Sequence, residues 1–261
     1  MGSKMSNAPV YFTVAQIQFN AVLNLENYIP LIQDTMRRAH FPDFKRQIQQ
    51  ALVQLNMGGE QVASPNLPPQ SRYLFGDIEG KSVFVLESNA LSFQTTAYDT
   101  FQVFSRTLLE GLATIHSVLK LDFTERAGLR YLDAVLPRDN ETVADYLVTE
   151  VLGLSGKLAG KMLYSFSESV AMTLAGQLVS RVIVQDGNIG LPLELMSVEP
   201  KIEPKFTRFN GRHAIIDTDM FYQNREKFNL DTLASRLDTL HDEILKSFQA
   251  TVTPHAFSVW A

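Results

Sequence analysis

The chain contains no cysteine, which excludes disulfides and thiolate metal sites. No apolar run approaches the ~20 residues that a membrane helix requires. The opening MGSKMSNAPV carries a lysine but lacks the apolar core of a signal peptide. These features point to a cytoplasmic protein. Basic residues are in deficit, with 23 Lys and Arg against 28 Asp and Glu, a net charge of −5 and a pI near 5.6. A protein that tracks a phosphate backbone is usually basic, so the balance weighs against nucleic acid as a partner. Also missing are an HExxH motif, a Ser-His-Asp order and a pair of catalytic carboxylates, which leans the reading away from an enzyme.

What is present is ordinary globular material. The 261 residues are 45% hydrophobic and 20% charged. That length corresponds to one large domain or two small ones. Met5 marks residues 1–4 as an expression scar, and residues 1–8 are expected to be disordered. PVYFTVAQIQFNAV alternates and predicts a strand over residues 9–21. Tyr28, Ile32 and Met36 fall at helical spacing, with a stop at Pro42. Residues 43–56 read as a short helix or irregular arm, and 56–72, rich in Gly and Pro, as a loop.

RYLFGDI, KSVFVLES and ALSFQTTAY predict a three-strand meander. Asp99 is placed to cap a helix whose stripe is Phe104, Leu108, Leu112, Ile115 and Leu119. FTERAGLRYLDAVLP reads as a strand, and NETVADYLVTEVLGL as a helix capped by Asn140. KMLYSFSESVAMTL, GQLVSRVIVQD, GLPLELMSVEP and HAIIDTDMFY read as further strands, with a loop at EPKIEPKFTRFNGR. The closing helix, capped by Asn229 or Asp231, buries Leu233, Leu237, Leu240, Ile244 and Phe248.

GLATIHSVL and RLDTLHDEIL read like one phrase written twice. Aligning His116 on His241 matches Leu108 with Leu233, Leu112 with Leu237, Ile115 with Leu240 and Leu119 with Ile244. Each helix follows a strand and precedes a β-rich or apolar segment. The expectation is an α+β fold with largely antiparallel sheet covered by long amphipathic helices. It would comprise two pseudo-repeated halves, residues 9–137 and 138–261, either as separate units or fused into one domain. Both histidines then read as half-buried imidazoles bonded to a carbonyl or carboxylate.

Three clusters carry candidate chemistry. Arg126 and Arg130 share one face of their strand, with Glu125 and Asp133 on the other, while Arg72 and Arg181 lie on other strands. Guanidinium groups clamp carboxylates or phosphates bidentately, so Arg72, Arg126 and Arg130, with hydroxyls from Thr95 and Thr96, form the candidate ligand site. The plainer reading is a set of cross-strand ion pairs. His213, Asp217 and Asp219 share a strand face and form the candidate divalent-metal site, with Asp133 as a further donor. No other cofactor is indicated. GLSGKLAGK at 153–161 has a phosphate-loop flavour, but Ser155 stands where the first glycine belongs and Met162 replaces the Ser/Thr.

At PVYFTVAQIQFNA, LSFQTTAYDTFQVFSRTLLEGL, ERAGLRYLD and the closing helix, the chain resembles the "sporadically distributed" family of uncharacterised prokaryotic proteins. ERxGLRY and TTxYxxF are the most specific parts. The resemblance implies a bacterial or archaeal cytosolic protein with an accessory or defence-type role, and it brings no catalytic residues. The expected function is a non-enzymatic binding or interaction module for a protein or a small anionic ligand. The alternatives are a metal-dependent enzyme acting on a phosphate-containing substrate, and a structural homodimer.

Overall fold

The computed structural model describes residues 5–49, 55–57, 60–62, 70–154, 157–198 and 200–261. The fold is α+β, with most of the chain in one large antiparallel sheet and several helices. In chain order the first elements are β1 (Val10–Phe19), α1 (Ile29–Arg38), β2 (Asp43–Gln49), β3 (Leu55–Met57) and β4 (Glu60–Val62). Next come β5 (Gln70–Gly76), β6 (Ser82–Glu87), β7 (Ala90–Thr95), α2 (Phe101–Leu119) and β8 (Phe123–Val135). After these lie α3 (Val143–Tyr146), α4 (Thr149–Leu152), β9 (Tyr164–Thr173) and β10 (Gly176–Asn188). The chain closes with α5 (Pro204–Thr207), β11 (Asn210–Lys227), α6 (Leu230–Thr251) and α7 (Pro254–Trp260).

Nine strands pair antiparallel in the order β2-β5-β6-β7-β1-β8-β11-β10-β9, and β3 pairs β4 apart from them. Alternation along each strand assigns the two faces. On one face Ala15, Ile17, Phe84, Phe93, Leu129 and Met220 pack against α1, α2 and α6. Along α2, Phe104, Leu108, Leu112 and Ile115 are buried, and α6 buries Leu233, Leu237, Leu240 and Ile244. A second cluster on this face joins Val135, Val182 and Ile216 to Phe248, Val252 and Trp260. On the opposite face Phe12, Leu132 and Ile215 are covered by Ile189 and Phe206 of the chain between β10 and β11. A register shift between Val10 and Phe12 turns Tyr11 to this side, where its hydroxyl donates to the Gly190 carbonyl at 2.9 Å.

Several local expectations are corrected. Asp43–Gln49 is a strand, because its backbone groups find partners on β5, and sequence reading has no access to that pairing. Of the 56–72 stretch, part forms the β3–β4 ribbon, residues 70–72 open β5, and 63–69 lie outside the described residues. Residues 1–4 also lie outside them. Residues 5–8 are held rather than disordered: the Ser6 hydroxyl donates to the Ala261 carbonyl at 2.6 Å and the Asn7 amide to Trp260 at 3.1 Å.

The cap of α2 is Thr100, whose hydroxyl accepts from the Val103 amide, not Asp99. The 140–154 helix is broken in two, because Leu147 forms a bridge with Val252 and Val148 is extended. Its cap is Thr142, in a capping box with Asp145. LELMSV is a 3₁₀ turn rather than a strand, and the tail is helix α7, capped by Thr253. Asn229 caps α6, with 2.8 Å from its Oδ1 to the Thr232 amide.

Candidate functional site

The arginines lie on the sheet face opposite α2 and α6. Arg130 faces Val14 on β1 and Asp219 on β11, and Arg126 faces Gln18 and Gln223. Arg130 makes a bidentate pair with Asp217, from Nε to Oδ1 and from a terminal nitrogen to Oδ2, both at 2.7 Å. The same guanidinium donates to Glu194 at 3.0 Å. Arg181 reaches Asp217 at 3.4 Å and Glu168 at 2.7 Å. Asp217 is only 2% exposed, so its charge is held by these two arginines, as a buried carboxylate requires.

This geometry lends no support to the metal reading. Both oxygens of Asp217 accept from guanidinium groups. His213 is fully buried, with Nδ1 3.0 Å from the Gly211 carbonyl oxygen and Nε2 3.3 Å from the Gln185 amide. Among the described residues no three His, Asp or Glu side chains are placed to hold a metal ion. Asp219 is half-buried, and burial raises its pKa against the pull of Arg126 and Arg130. Nor does a phosphate loop form at 153–161. Residues 155–156 lie outside the described residues, and the segment runs from helix α4 into strand β9, the reverse of a phosphate loop's strand-to-helix order.

The candidate ligand residues do not form one site. Arg72 sits on β5, four strands from Arg126 and so ~19 Å across the sheet, where it pairs with Glu87. Thr95 points to the helix side. The Thr96 hydroxyl donates to the Lys201 carbonyl at 2.7 Å. What remains is Arg126. Its guanidinium lies over Gly128, where an added Cβ would come within 2.9 Å of it. The guanidinium carbon stands 4.4 Å from the centroid of the Phe221 ring, and one nitrogen donates to Gln16 at a long 3.4 Å. Arg126 is half-buried, and burial lowers its pKa from the usual arginine value. It has no ion pair within 4.0 Å among the described residues. On the same face, two strands away at the level of Arg130, Gln94 buries an Oε1 with no partner among the described residues.

On the helix side the register aligns one hydroxyl on each of seven neighbouring strands: Ser82, Thr95, Thr13, Tyr131, Thr218, Ser180 and Ser169. This seam runs between the two apolar clusters of that face. At its centre the Tyr131 hydroxyl lies 3.2 Å from that of Tyr98 and 3.3 Å from His241 Nδ1. Thr13 and Thr218, beside it, bury hydroxyls with no partner among the described residues. Asp133, one step along β8, is 8% exposed, and burial, with the Asp217 charge adding to it, pushes its pKa up to about 7. Sequence reading offered Asp133 only as a spare metal donor and missed the seam. The one signal for the Arg126 cradle was a glycine inside a strand pattern, which marks close approach.

A concavity of about 420 Å³ lies elsewhere, lined by Asp43, Lys45, Leu74, Lys81 and Val198. Its lysines are engaged, Lys45 with Asp43 at 2.9 Å and Lys81 with Glu79 at 2.7 Å. No helix among the described residues is long and apolar enough to cross a membrane. Compared with known protein families and with curated proteins, the chain finds no match in either.

Proposed function

We propose that this protein is a binding module that takes a small anion, a carboxylate or phosphate group, on the open face of its sheet at Arg126. The observation that carries the reading is the contrast among four arginines on one face. Arg72, Arg130 and Arg181 are matched by carboxylates, while Arg126 is set over a glycine beside Phe221 with only a long bond to Gln16. A guanidinium stripped of part of its water, with Asp219 acting on it only at longer range and no carboxylate in direct contact among the described residues, favours an anionic oxygen pair. Gln16 and Gln18, half-buried beside it, supply amides to orient such a group.

The same proposal includes an internal duplication. It is supported by the order strand, helix, three-strand meander, helix, which occurs as β1, α1, β5–β7, α2 with β2–β4 inserted before the meander, and again as β8, α3–α4, β9–β11, α6 with α5 inserted within it. On this reading β8 opens the second copy, and the boundary falls near residue 121 rather than at Pro137. The resemblance to the sporadically distributed family, and with it a cytoplasmic accessory role, belongs to the same reading.

Calorimetric titration with inorganic phosphate and with succinate tests the site. The native chain should bind one of them saturably, R126Q should lose at least about tenfold in affinity, and R225Q, whose guanidinium pairs with Glu125, should not change. Absence of binding to the native chain, or equal binding by R126Q, would refute the reading.

A further inference from the structure

The two edges of the nine-stranded sheet are unlike. β2 places Asp43, Lys45 and Arg46 within seven residues, the charged dressing that keeps an edge from pairing. β9 runs for ten residues, YSFSESVAMT, with no lysine, arginine or proline and with Glu168 as its only charge. That charge is matched inside its own sheet by Arg181 at 2.7 Å. Every second residue on one face of β9 is large and apolar except Glu168. Tyr164 is 54% exposed, Phe166 48%, Val170 58% and Met172 77%. Such a strand is an unguarded template for another strand.

We propose that β9 pairs with β9 of a second copy of this chain, antiparallel about a two-fold axis, joining two sheets into one. The strand's own pattern selects the occupant and the register. A two-fold perpendicular to the sheet opposes residues whose side chains share a face, so one residue must face itself across the axis. The longest overlap of Tyr164–Thr173 that meets this condition pairs nine residues with nine and leaves two choices, Glu168 or Ser169. Centring on Glu168 sets two carboxylates directly opposite, which is destabilising. Centring on Ser169 sets Glu168 opposite Val170 and Phe166 opposite Met172, so both ends of the strand gain an aromatic–thioether pair. The strand is thus complementary to itself in one register. Nine residues a side is below the ~20–30 of a standard interface, so the pairing belongs with the weak, reversible associations rather than the obligate ones.

The absence of cysteine makes the register directly readable. Ser169 is exposed, and a facing pair has Cα atoms ~4.5–5.5 Å apart, within disulfide reach. Light scattering of the native chain between ~5 and ~200 μM should show a monomer–dimer equilibrium. S169C should form a covalent dimer on mild oxidation, while S167C, displaced from its own copy by four residues along the strand, should not. The double variant F166K/V170K, altered only at exposed side chains, should keep the circular dichroism of the native chain and weaken dimerisation by at least about 100-fold. A chain that stays monomeric at ~200 μM overturns the proposal. So does a dimer that survives F166K/V170K, or one that crosslinks through S167C and not S169C. None of these outcomes depends on anion binding at Arg126.

Discussion

The imidazole of His241 lies flat on the ring of Phe101, with centroids 4.1 Å apart and planes at 1°. His116 lies on Phe228 at 4.1 Å and 13°. Each of the two longest helices therefore lends a histidine to a phenylalanine at the N-terminal end of the other. The partners differ from the carbonyl or carboxylate expected of them: His241 meets the Tyr131 hydroxyl, and the Nδ1 of His116 has no hydrogen-bond partner among the described residues.

This stacking ties stability to pH. Burial lowers the pKa of His241, opposed by Asp242 and Asp238, so the folded state favours the neutral ring. The contribution is fully present above the unfolded value near 6.5 and is lost as pH falls through the folded value. Urea unfolding at pH 8 and pH 5 should show H241F losing less stability on acidification than the native chain. An equal loss would remove His241 as the cause.

Asp133 acts in the opposite sense. Its pKa is raised to about 7, so the stability it confers is full below the unfolded value near 4 and is lost as pH rises through 7. D133N should be more stable than the native chain at pH 8, by on the order of 2–4 kcal/mol, and should show no such advantage at pH 4. Urea midpoints across that range check it.

The hydroxyl seam gives a sign test between neighbours. Thr13 and Thr218 bury hydroxyls without partners among the described residues, so T13V and T218V should be neutral or stabilising, up to about 1 kcal/mol each. The Thr95 hydroxyl lies 2.9 Å from that of Ser82 and accepts from the Ala97 amide at 3.0 Å. T95V should cost about 1 kcal/mol or more in the same denaturation assay.

Arg130 and Asp217 should behave as a unit. R130M alone leaves a carboxylate that is 2% exposed with only Arg181 at 3.4 Å, and should cost about 3–5 kcal/mol. The double variant R130M/D217L should recover much of that loss. Additive losses in a double-mutant cycle would show that the two residues are not coupled.

Gly111 sets two effects against each other. Alanine in mid-helix gains about 1 kcal/mol in propensity. Here its Cβ would fall 2.3 Å from the Phe84 ring, and overpacking costs about 1–3 kcal/mol. G111A should therefore lower the melting temperature, and F84L should restore part of it.

Local patterning made much of this fold legible. Alternation located β1, β5–β7 and β8 to within a few residues, and the leucine stripes located α2 and α6. Features that depend on pairing were hidden. The hydroxyls of Thr13, Tyr131 and Thr218 lie far apart in sequence and meet only through strand register. Asp43–Gln49 is a strand because β5 lies beside it. Asp217 looked like a metal ligand because the strand that carries it gives no hint of Arg130 reaching it diagonally from the neighbouring strand. Arg126 and Arg130 were placed on the correct shared face, yet only the structure distinguishes the arginine matched by carboxylates from the one that is not.

That distinction is tested most directly by following the arginine Nε–H signals in a ¹H–¹⁵N correlation spectrum while inorganic phosphate is added. The Arg126 signal should move and saturate, and that of Arg130, bonded to Asp217 at 2.7 Å, should stay in place. An unmoved Arg126, or all arginine signals drifting together in proportion to ionic strength, would contradict an anion site on this sheet.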